Sequence, residues 1–188
     1  KNMTSPIPVW PLPGFPNAEI PLSGPGCFGE MRGDRLHCGL DLYAPTGSEV
    51  VAMEKGEVLE TGLFTSPRGN VYWNNTWFVS IRTRSGLIHR YCELGDVSVA
   101  SGQLITAGDT VGHVGTVLDL NKIDESAPDY IQQIKARGLP SMLHLELSTQ
   151  PGPIAGNYSG GNVFSTKLPA YLKNPAEYLN LIKLARQA

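Results

Sequence analysis

From residue 48 onward, short apolar runs recur at close intervals: "SEVVAM", "GEVLETG", "TWFVSIRTR", "LIHRYCEL", "QLIT", "TVGHVGTV" and "MLHLELS". They are rich in β-branched and aromatic residues, and glycine-bearing turns such as "EKGE", "RSG" and "TAGD" cut them apart. This predicts a mainly β chain, folded as a compact antiparallel sheet or barrel. On "MLHLELS" a period of two sends Met142, His144 and Glu146 to one face and Leu143, Leu145 and Leu147 to the other. A histidine opposite an all-leucine face is well placed for a cleft.

Two stretches switch to the helical period. "SAPDYIQQIKARG" carries a candidate cap at Ser126, Ile131 and Ile134 on one face, and Gly138 as a stop. "NPAEYLNLIKLARQA" opens with Asn174 as cap, Pro175 at the first helical position and Glu177 at the third. Tyr178, Leu181, Ile182 and Ala185 are its expected apolar stripe. Residues 1–26 obey neither period. They hold seven of the fifteen prolines (Pro6, Pro8, Pro11, Pro13, Pro16, Pro21 and Pro25) and should run extended over the body, anchored by Trp10 and Phe15. The expected organisation is an extended segment over 1–26 and one domain over 27–188.

Composition narrows the choice of partners. At 188 residues, with 41% hydrophobic and 17% charged residues, the chain is long enough to bury a proper core. Its net charge of −2, without a basic run, makes nucleic acid and anionic membrane poor partners. No apolar stretch approaches the roughly 18 residues of a membrane span. The chain begins at Lys1 with no leader-like segment, as a trimmed form of an exported protein would. Three cysteines, Cys27, Cys38 and Cys92, leave at least one unpaired, and a bridge between two of them or three free thiols both fit. Asn2, Asn74 and Asn157 open N-x-S/T matches that matter only in a eukaryotic secretory pathway.

The candidate chemistry lies in "GDRLHCGLDLYAPTGSEVVA". His37 and Asp41 would stand about 13 Å apart on an ideal strand. A bend at Gly39 would let them converge, and an imidazole with a carboxylate is half of a zinc site. His89, His113 and His144 are the remaining histidines; His144 is well placed for a cleft and His113 is expected on a solvated face.

The stretch "FGEMRGDRLHCGLDLYAPTGSEVVAMEKGEV" resembles the opening of the M23 peptidase family, the lysostaphin and LytM type. That family shows F-G-x-R, H-x-G-x-D, an A-P-x-G-x-x-V-x-A strand and a G-x-V strand. "VASGQLITAGDTVGHVG", "LHLEL" and "NPAEYL" are similar to later family segments, in order, over residues 27 to 179. The resemblance implies an M23 (LytM) fold with an inserted helix and a C-terminal helix. It makes His37, Asp41 and His144 ligands of one zinc ion. It also implies an exported protein, periplasmic or extracellular, that hydrolyses peptide bonds of bacterial peptidoglycan.

Two catalytic histidines of the family pattern are replaced. Glu93 stands in "YCEL" where Y-x-H-L is expected, and Met142 replaces the first histidine of H-x-H. Glu93 can serve as a general base; a thioether can neither take a proton nor donate one. Arg32, Arg35, Tyr91 and Met142 are candidates to line the substrate groove, with His89 on the strand face of Tyr91 and Glu93. The connection from Gly115 to His144 is longer than the family's and carries the first helix, a candidate wall or lid. Two functions follow: a zinc peptidase acting on peptidoglycan or its peptide stems through Glu93, or an inactive binding or regulatory module that keeps a structural zinc and takes a protein partner.

Overall fold

The structure is a computed structural model that describes residues 8–151 and 157–187. Among the described residues twelve strands run β1 (Leu36–His37), β2 (Leu40–Tyr43), β3 (Glu49–Val51), β4 (Gly56–Thr65), β5 (Thr76–Thr83), β6 (Ile88–Val97), β7 (Leu104–Ile105), β8 (Thr110–Val114), β9 (Met142–Ser148), β10 (Tyr158–Ser159), β11 (Asn162–Val163) and β12 (Leu172–Lys173). Nine form an antiparallel sheet along the path β12-β9-β6-β5-β4-β7, with β2 on β9, and β3 and β8 closing on β6. The other three, β1-β11-β10, make a small sheet laid over one end.

The alternation on β9 builds the core. Leu143, Leu145 and Leu147 are buried with Leu40, Leu42, Ile81, Tyr91 and Leu94. Residues 8–26 contain no strand, yet Val9 donates to the Met53 carbonyl and Pro11 accepts from Val51. Trp10 and Leu12 enter the core, whereas Phe15 stays 37% exposed, so Leu12 is the second anchor. Asn2 lies outside the described residues.

Helix α2 (Pro175–Ala185) starts as expected, with Asn174 Oδ1 accepting from the Ala176 amide at 3.0 Å. Its buried face is Pro175, Ala176, Leu179 and Ile182 rather than the stripe through Leu181, which is 66% exposed. Both sets keep helical spacing, and the sheet selects the one carrying small residues at the close approach. Helix α1 (Asp129–Arg137) begins after Pro128 without a side-chain cap, because Ser126 bonds Asp124 instead. Gly138, at φ 63°, ends it. Tyr130, Ile131 and Ile134 of α1 form a second, separate apolar cluster with Tyr72, Val117, Ile123 and Met142.

Candidate metal centre

Backbone pairing brings the three predicted residues together. Register on β2 and β9 sets Asp41 opposite His144, and Gly39 turns the chain between β1 and β2 so that His37 faces the same point. His37 Nε2 lies 3.0 Å from His144 Nδ1, which lies 2.8 Å from Asp41 Oδ1, with 3.3 Å closing the triangle. Ligands about 2.0–2.1 Å from a tetrahedral zinc would stand roughly 3.3 Å from one another. The triangle therefore fits such an ion with little adjustment.

The second nitrogen of each ring is engaged, which fixes which nitrogen faces the centre. His37 Nδ1 donates to the Cys27 carbonyl at 2.8 Å, and burial, helped by the Arg32 charge, lowers its pKa to about 4. Its Nε2 is thus a bare lone pair. His144 Nε2 donates to Glu146 Oε1 at 3.0 Å and turns Nδ1 toward Asp41. Burial opposes a charge on His144, but hydrogen bonds to Asp41 and Glu146 outweigh it and hold its pKa near about 10. A proton there occupies the place a cation would take. Room for the ring depends on two glycines, since a Cβ at Gly39 or Gly161 would sit 2.5 or 2.6 Å from His144 Cε1.

Around this triangle lies a shell that sequence reasoning missed. Glu146 accepts from Tyr158 OH at 2.6 Å, and Arg90 stands 3.3 Å from its other oxygen. Cys38 Sγ is 3.4 Å from Glu146 Oε1, so Cys38, His144 and Glu146 form a second potential ligand set. Burial first, then the Glu146 charge, pushes the Cys38 thiol well up, so the thiol keeps its proton. With Arg90 already neutralising Glu146, this set supports the first triangle rather than competing with it. Tyr158 carried no local signal; only the pairing of β1 with β11 and β11 with β10 delivers it. Arg32, a groove candidate, lines the cavity beside Asp41 and contacts Asp41 Oδ2 at 3.4 Å, Glu30 at 2.8 Å and Asn162 at 3.0 Å. It leaves Oδ1 to face the histidines.

Glu93 and Met142 both border the cavity beside Asp41. Strict alternation would turn Glu93 inward with Tyr91, but Glu93 has φ 63°, the only described non-glycine residue with positive φ. That left-handed kink, next to a break in the β6–β8 register, re-aims the carboxylate. Its Oε2 is buried without a partner, and burial, reinforced by the Asp41 charge, raises its pKa above the ordinary carboxylate range.

Two groove candidates fall elsewhere. Tyr91 is fully buried in the main core, its hydroxyl accepting from the Met53 amide at 2.8 Å. His89 goes with it, buried edge-on to Tyr178. Arg35 pairs with Asp34 at 2.7 Å and lies over the Phe164 ring, outside the cavity. All three cysteines are free. His113 bonds Asp96 on the surface, as expected for a solvated face.

Met142 is only 3% exposed and belongs to the apolar cluster of α1. Met142→His would bury an imidazole there, and burying a polar group without a partner costs about 1–3 kcal/mol. A drop of that size in unfolding free energy, read by urea denaturation, is the expected result.

The model of peptidase family M23 matches residues 35–125, which contain His37, Asp41 and Glu93 but not His144. No curated protein matches the chain. The fold is similar to the catalytic domain of lysostaphin, an antimicrobial peptidase from Staphylococcus simulans. Identity is 18%, over 90% of this chain and 97% of that one, with a TM-score of 0.53. Against whole lysostaphin the identity is 18% and the TM-score 0.56, with 96% of this chain covered but only 56% of that one. A chain of the SpoIIQ–SpoIIIAH pore-forming complex matches at 14% identity, over 94% of this chain and 92% of that one, with a TM-score of 0.55. No helix among the described residues is long and apolar enough to cross a membrane.

Proposed function

We propose, from the match of residues 35–125 to the model of peptidase family M23, that this chain is a zinc peptidase acting on the peptide bonds of bacterial peptidoglycan. The observation that carries the reading is the triangle of donor atoms from His37, Asp41 and His144, with an unpartnered Glu93 oxygen on the cavity that Asp41 also lines. The three residues would hold the ion, and Arg32 already engages the second oxygen of Asp41. When bound, zinc supplies Lewis acidity, which activates water and polarises a carbonyl. Glu93 takes the proton of the attacking water and delivers it to the leaving amine. Arg32 sets a positive field at the cavity wall, while Met142 contributes only shape. Under this reading the chain works outside the cytoplasm, where peptidoglycan lies.

The test is release of soluble fragments from purified peptidoglycan by the zinc-loaded chain, abolished by a chelator and restored by zinc. A chain that holds one zinc yet releases nothing in any state would favour the second reading, a zinc-stabilised binding module. That alternative draws support from the near-complete burial of the donor residues, at 1–3% exposure. Supporting residues give an independent check. Glu146→Gln removes the charge that orients His144 and is expected to weaken zinc binding by about 10–100-fold, measured by competition with a chelating dye.

A further inference from the structure

The cavity beside Asp41 has a volume of about 30 Å³, room for little more than one water molecule. A peptide cannot place a carbonyl there while the surrounding walls stand as they do. Val117, Leu118, Tyr130, Ile131 and Ile134 form one side of those walls, and all five belong to the long connection that carries α1. The ends of that connection meet. Thr116 and Ser141 form an antiparallel bridge, and the Val117 amide donates to the Pro140 carbonyl at 2.9 Å. Between the ends the segment supplies most of a second apolar cluster, shared with Tyr72 and Met142 and distinct from the main core. Its contacts with the rest of the molecule fall in two places: its first residues pair with 72–74, where the Asp119 amide donates to the Tyr72 carbonyl at 2.9 Å and the Asn74 amide to the Val117 carbonyl at 2.8 Å, and α1 reaches the centre. The Tyr130 ring lies 4.4 Å below the Arg32 guanidinium, which itself bonds Asp41, and Met142 sits in the cluster where the family pattern has a histidine.

We propose that residues 116–141 form a folded cap that shuts the metal pocket against peptides, and that the cap must swing off Arg32, Met142 and residues 72–74 as a unit before substrate enters. The proposal rests on His37, Asp41 and His144 being metal ligands. It also gives a physical reason for Met142: the residue serves the cap's cluster, which an imidazole would disrupt. Segments with a small cluster of their own and adjacent ends open at lower cost than the sheet they cover.

The rate at which a small chelator strips zinc from the whole chain reads cap opening without any assay of hydrolysis. Tyr130→Ala removes the ring under Arg32 and is expected to speed zinc release by about tenfold or more. A second variant closes the cap. Trp73 and Leu118 face each other across an antiparallel bridge, close enough for a disulfide, so Trp73→Cys with Leu118→Cys joins cap to body. Its oxidised form should release zinc about tenfold more slowly than its own reduced form. Equal rates, within about twofold, in wild type, Tyr130→Ala and both redox forms would overturn the proposal. Zinc release that follows the cap while no variant degrades peptidoglycan would support the cap and reject the peptidase reading. Should the chain bind no zinc, amide hydrogen exchange over Ile131–Ile134 decides: faster exchange than in β9, slowed by the crosslink, supports the cap, and exchange as slow as β9 overturns it.

Discussion

Glu93→Gln is expected to keep one zinc per chain while lowering fragment release from peptidoglycan by about 100-fold or more. The substitution preserves shape and burial but removes the only carboxylate oxygen in the cavity that is buried without a partner. An amide cannot take a proton from water, so a reaction that depends on this group as base must slow by the usual contribution of general base catalysis. Backbone conformation points the same way. A left-handed φ on a residue with a Cβ costs about 1–2 kcal/mol, and here it turns Glu93 from the core side of β6 to the cavity. Zinc content separates the alternatives. Loss of zinc together with activity would make Glu93 a fourth ligand of a closed site. Unchanged release would place the base on another residue.

Much of this arrangement was legible in the chain, and the limits have physical causes. The leucine alternation on β9 defined the core face because it depends on local spacing, whereas H-x-G-x-D only suggested a metal and the family resemblance supplied His144 as the third donor. Tyr91 misled because the same rule of two places it beside Glu93, and only the kink at Glu93 separates them. The Glu146–Tyr158–Arg90 shell depends on β1 meeting β11, pairs of two residues each from distant parts of the chain, too short to leave a periodic trace. Met142 was visible as a departure, but its reason was not. The apolar cluster that claims it is assembled from α1, residues 117–123 and Tyr72, and no single stretch announces that association.

His37→Ala and His144→Ala are each expected to reduce bound zinc from one per chain to nearly none, because two remaining ligands do not make a tetrahedral site. The same loss should appear as stability. A ligand that binds only the folded chain at about a thousand times its Kd contributes roughly 4.1 kcal/mol. For a domain of this size that corresponds to a rise in Tm of roughly 8–16 °C. Chelation should therefore lower the Tm of the wild type by this amount and leave both variants unmoved. The variants also differ from each other without metal. Removing His144 leaves Asp41 and Glu146 without the imidazole that bonds to both, whereas removing His37 leaves that bridge intact. His144→Ala should then melt below His37→Ala even in the presence of chelator, since a buried carboxylate stripped of its partner is costly. Equal zinc content in wild type and both variants would remove these residues as ligands. A wild-type Tm insensitive to chelation would remove zinc from the fold altogether.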